Sequence, residues 1–217
     1  MKTPLYYQMS EYDCGTVTLL NAVNYLFTRE VIPPDVIKAI TTFSLDTYNS
    51  AGEVGKNGTS KASMKFIVDW LNYNGPIKGL PIHGTYYSGE SVSVGESGKI
   101  MDALNNGGVV IFRLNYGGAH YVLATKGDTG NKYLYLFDPY LDEDLKYTDG
   151  IVLLEGFPYA YNRKVPFRFF EEQDDKKVYA LGPPNHREAI VFYGTGEQFA
   201  NKTNGPDSSR SRRKHSV

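Results

Sequence analysis

Cys14 is the only cysteine of the chain, and it stands in YQMSEYDCGTVTLLNAVNYLF at the start of an apolar helical pattern. A lone thiol closes no internal disulfide, so it is structural, reactive or intermolecular. A thiol attacks as its thiolate, and the unpaired amides and dipole of a helix N-terminus favour that form. Position alone leaves two readings open: a small buried core residue, or a nucleophile. A nucleophile needs a base, and there are four histidines. His215 falls in a basic C-terminal stretch, His186 in a loop after GPPN, and His83 in the Gly-flanked PIHGT. His120 opens the strand-like HYVLATK directly after the flexible YGGA, and eighteen residues later Asp138 ends YLYLFDPY. If those two strands pair as a hairpin, the imidazole and the carboxylate meet at one end of a sheet. There the carboxylate can fix the tautomer and orientation of the ring, as the third group of a nucleophilic triad does. The chemistry such a set performs is acyl transfer through a thioester.

The elements that would carry these residues follow from periodicity. Val17, Leu20, Val23, Asn24 and Phe27 recur at mostly helical spacing, which predicts a helix from about Cys14 to Phe27. PPDVIKAITTF reads as a second, short helix with Pro near its first turn. NSAGEVGKNGTS is a loop, and Thr59 or Ser60 then caps a helix that runs to about Tyr73. IHGTYYSGESVSVGES reads as a loop-rich insertion with room for a hairpin, and GKIMDALNNGG as a short helix closed by Gly107 or Gly108. The pattern then becomes β-rich. VVIFRL, HYVLATK and KYLYLFD are strands, and GDTGN between the last two is a hairpin signal. GIVLLEGF, KKVYALG and EAIVFYG are candidates for further strands, and PFRFFEEQ for a helical turn. Helices segregated from an antiparallel sheet give an α+β fold rather than a doubly wound one.

Composition bounds the rest. The 217 residues are 41% hydrophobic and 22% charged with net charge −1, which fits a globular protein large enough to bury its own core. Residues 1–200 are expected to form one domain. Residues 201–217 carry five basic side chains against Asp207 alone, without periodicity, and are expected to be a disordered basic tail. The remaining chain is net acidic, which argues against nucleic acid as a partner. No apolar run approaches the ~18 residues of a membrane span, and no signal-like segment is evident, so the expected location is cytoplasmic. H-E-x-x-H is absent, and Gly98-Lys99 is followed by Ile100, so no phosphate loop forms there. No cofactor and no metal is expected.

Gln8, Asp13-Cys14-Gly15, the GGAHYVLA around His120 and the DPY at Asp138 together resemble the papain-like cysteine peptidases that process double-glycine leader peptides of bacteriocins. NGTSKASMKFIVDWLNYNG resembles the middle region of the same family. The resemblance covers roughly residues 4–142. It implies a papain-like fold with N-terminal helices on a mainly antiparallel sheet. It also implies Cys14 as nucleophile, His120 as general base and acid, and Asp138 as the orienting group. The Gln8 side chain and the Cys14 amide would form the oxyanion hole. The expected activity is hydrolysis of a peptide or protein substrate after a Gly-rich leader site, by a standalone thiol protease with a separate exporter as a possible partner. Two alternatives share the scaffold: an amide acyltransferase or amidase, and an inactive domain that binds leader peptides.

Overall fold

The computed structural model describes residues 1–141, 150–174 and 176–195. Three helices come first: α1 (Cys14–Leu26), α2 (Pro34–Phe43) and α3 (Lys61–Ile77). Then follow β1 (Ile82–Ser88), α4 (Lys99–Asn105), β2 (Val109–Asn115), β3 (Ala119–Asp128) and β4 (Tyr133–Phe137). The chain closes with β5 (Val152–Leu153), β6 (Arg163–Pro166), α5 (Phe167–Glu171) and β7 (Glu188–Gly194). The seven strands form one sheet in the order β1-β7-β2-β3-β4-β6-β5, and every neighbouring pair is antiparallel. The protein is therefore α+β. The basic tail lies outside the described residues.

The sheet is buried on both faces. Along β2, Val109 and Ile111 enter the core beneath α1–α3, while Val110, Phe112 and Leu114 enter a second core with Ile100, Met101 and Phe170 from α4 and α5. β3 and β7 divide their side chains in the same way, with Tyr121, Leu123, Ile190 and Phe192 on the first face and Val122, Ala124, Ala189 and Val191 on the second. Strands buried on both faces read as continuous apolar runs, which is why VVIFRL shows no alternation.

Three expectations are corrected. IHGTYYS is a regular strand, β1, that pairs with β7 along its whole length, and only GES after it is a 3-10 turn. KKVYALG is not a strand. Lys177 lies in a bend and Tyr179 in a turn with a φ of 62°, and Tyr179 N and Ala180 O bond the Asn115 backbone at the end of β2. The helix capped by Ser60, whose side chain accepts from Ser63 N, also runs on through Gly75 and Pro76 to Ile77.

Candidate active site

Cys14 is the first residue of α1. Its neighbour Asp13 stands at the N-cap position but makes no side-chain cap. The Asp13 carboxylate turns back instead and accepts from Met9 N, Ser10 N and Ser10 Oγ at 3.0–3.1 Å. This closes the loop between Gln8 and Cys14 and leaves the first-turn amides of α1 without a side-chain acceptor from Asp13. Gly15 is required for packing. A Cβ there would stand 2.6 Å from Thr59 Oγ1 and 3.2 Å from the Tyr121 ring, so α1 approaches β3 as closely as a glycine permits. Thr18 Oγ1 donates to the Tyr121 carbonyl at 3.0 Å and ties the cysteine helix to the histidine strand.

His120 and Asp138 are brought together as the hairpin reading expects. His120 Nε2 donates to Asp138 Oδ1 at 2.7 Å, with both side chains buried. Asp138 occupies Nε2, so Nδ1 is the ring nitrogen open to the Cys14 thiol, which lies within hydrogen-bonding reach of the ring. Burial by itself pushes the imidazole down. The charge and hydrogen bond of Asp138 outweigh it, with a further contribution from Cys14, and the ring is raised to about 10. Burial likewise opposes the Asp138 carboxylate, but His120, Tyr179 and the Tyr140 amide hold it below its usual value. The pair is therefore imidazolium and carboxylate at neutral pH.

Several groups that sequence reasoning missed build this pair. Tyr179 OH donates to Asp138 Oδ2 at 2.7 Å, and Tyr140 N donates to Oδ1 at 2.9 Å. Asn162 fixes the backbone: its Oδ1 accepts from Asp138 N, and its Nδ2 donates to Asp138 O, both at 2.8 Å. Arg163, fully buried, donates to the carbonyls of Asn162 and Tyr140. The Tyr116 ring stands between the rings of His120, Tyr140 and Tyr179, with centroids 5.5–5.8 Å away, and helps shield the imidazole. Asparagine and tyrosine are common, and no spacing singles these out. The one signal is indirect: GIVLLEGF, KKVYALG and EAIVFYG beyond Tyr140 read as candidate strands without a functional role.

Gln8 is placed by a separate clamp. Asn21 on α1 holds the backbone of Tyr6 through both its N–H and C=O, at 2.7 and 2.9 Å. Gln8 N then donates to Pro139 O at 2.9 Å. The Gln8 side chain lines a cleft of about 480 Å³ with Cys14, His120, Gly117, Tyr140 and Val178. Its Nε2 gives one N–H to Ser10 O at 2.9 Å, and its Oε1 is buried without a partner. An amide nitrogen carries two N–H bonds, so a second donor remains. All four residues singled out in the sequence, Gln8, Cys14, His120 and Asp138, thus meet at one place. His83 lies exposed on β1, opposite Tyr193, and His186 on a separate turn. No helix of the described residues is long and apolar enough to cross a membrane. Family models, curated proteins and solved structures give no match to this chain.

Proposed function

We propose that the chain is a papain-like cysteine peptidase in which Cys14 attacks the substrate carbonyl, His120 relays the proton and Asp138 holds the ring. The observation that carries this reading is the 2.7 Å contact from His120 Nε2 to Asp138, which turns Nδ1 toward the thiol inside an open cleft. The fold supports it further, because the cysteine helix packs directly on the histidine strand of an antiparallel sheet.

The chemistry follows from the geometry. An imidazolium beside the thiol favours the thiolate, and the uncapped first turn of α1 adds to this. The thiolate adds to a peptide carbonyl. The negative charge that develops on oxygen is met by the free N–H of Gln8 and the Cys14 amide. His120 then gives its proton to the leaving amine and becomes the base that activates water against the thioester. Asp138 keeps the ring in one tautomer throughout, and Tyr179 and Asn162 keep Asp138 in place. The resemblance adds a glycine-rich leader site as the substrate.

The direct test is peptide cleavage read by mass spectrometry, using peptides with an internal Gly-Gly and the full chain. Cleavage by the wild type, lost in Cys14→Ala and after alkylation, is expected. Cleavage that persists in Cys14→Ala would overturn the assignment.

A further inference from the structure

A second cavity, of about 450 Å³, adjoins the cleft, and Gly118 and Ala119 line both. The shared rim is low. Gly118 has no side chain, and a Cβ built there would meet nothing within 4 Å. No side chain at position 118 therefore stands between the cleft and the cavity. The far walls come from Lys61 at the start of α3, Arg113 on β2 and the turn that bears His186.

The charges around this cavity do not balance. Tyr121, Arg113 and Glu188 are cross-strand neighbours on β3, β2 and β7. Glu188 is fully buried and accepts from Tyr121 OH at 2.9 Å. Its other oxygen, Oε2, faces Lys61 Nζ at 3.9 Å, beyond hydrogen-bond distance. Lys61 Nζ instead donates to the His186 carbonyl at 2.6 Å. Arg113 makes no ion pair among the described residues. One buried carboxylate thus lies near two cations, and bonds neither at hydrogen-bond distance, although both charges favour its ionised form against burial. Burial and the Arg113 charge pull Lys61 below its usual range, with Glu188 opposing. Two like charges held together in this way leave a positive surplus facing a cavity beside the nucleophile. A guanidinium offers a planar fork of donors suited to a carboxylate.

We propose that this cavity is a carboxylate-binding subsite in which Arg113 and Lys61 receive an acidic group of the substrate while Cys14 attacks on the other side of the Gly118–Ala119 rim. The assignment rests on the peptidase reading. The carboxylate is that of a Glu or Asp side chain, or the chain terminus of a short substrate.

Two measurements on the full chain test it. The first is alkylation of Cys14 by N-chloroacetyl-Gly-Glu amide, N-chloroacetyl-Gly-Gln amide and N-chloroacetyl-Gly-Gln with a free terminus. The acidic probe whose carboxylate reaches the cavity should react about tenfold faster than the neutral one at low salt, since a charge-assisted contact is worth roughly that factor. Comparing the two acidic probes separates side chain from terminus. The ratio should fall to within about twofold in Arg113→Gln and in Lys61→Gln, and shrink as salt screens the charges. Equal rates in the wild type, or a ratio unchanged in both variants, would overturn the subsite. The second measurement needs no reactive thiol. Titration with N-acetyl-glutamate amide should shift the Arg113 side-chain NMR resonance saturably, and N-acetyl-glutamine amide should not. Absence of a saturable shift would overturn the subsite. A thiol inert to all three alkylating probes, alongside a saturable shift, would instead count against the peptidase reading alone.

Discussion

At His120 two opposing effects can be separated by one substitution. Burial lowers the imidazole, while Asp138 raises it by charge and hydrogen bond. Asp138→Asn removes the charge and leaves the burial, so the NMR midpoint of His120 should fall from about 10 in the wild type to below the ordinary value of ~6.5. A midpoint that stays high would mean that another group holds the proton. Tyr179→Phe removes one donor from a buried carboxylate and should cost about 1–3 kcal/mol in chemical denaturation. It should also move the His120 midpoint, which a purely packing role for Tyr179 would leave alone. Gln8→Ala should lower kcat by ~10²–10³ with KM changed much less, as loss of one oxyanion donor does elsewhere. Full turnover in that variant would remove Gln8 from the oxyanion hole. Cys14, His120 and Asp138 were legible because a single thiol, one strand-borne histidine and a strand-ending carboxylate are rare chemistry in conspicuous places. Asn162 and Tyr179 were not, because Tyr179 is one of 18 tyrosines and its task arises only when the chain returns to the sheet.

At the scale of elements, the cysteine helix and the strands β2, β3 and β4 were readable because long apolar runs and clear turn signals leave little choice. β1 was hidden because its exposed His83 and Ser88 and its interior Gly84 read as a loop. Gly84 is there because a Cβ would stand 2.5 Å from the Phe192 ring of β7, a requirement visible only once the strands are paired. KKVYALG has β-forming residues but is bent by the left-handed Tyr179, whose cost is offset by its bond to Asp138. The seam between α1 and β3 offers a sharper test. Gly15→Ala places a methyl group against Thr59 and Tyr121 and should destabilise the fold by about 1–3 kcal/mol, the range for overpacking. Because the strain falls next to Cys14, kcat should drop with it. Unchanged melting would mean that α1 does not pack this closely.

For the whole molecule, β7 is the decisive element. It comes late in the sequence yet lies between β1 and β2, so the sheet closes only when the C-terminal half returns. The elements that carry Cys14, His120 and Asp138 therefore do not form a closed sheet as residues 4–142, although the family resemblance is confined to that stretch. The buried ion pair also gives the fold a pH dependence. His120 is raised, so its contribution is complete below ~6.5 and is lost as pH rises toward about 10. Asp138 is lowered, so its contribution is present above ~3.9 and is lost as pH falls below that value. The stability gap between the wild type and His120→Gln should be widest between about pH 4 and 6.5 and should narrow on the alkaline side. The central claim is that His120, held by Asp138, activates Cys14. It is tested most directly by the rate of Cys14 carboxamidomethylation at pH 6.5 in the wild type and in His120→Ala. An imidazolium at the thiol should make the wild type react at least roughly tenfold faster than the variant. Equal rates would contradict the claim and leave Cys14 as a core residue at the start of a helix.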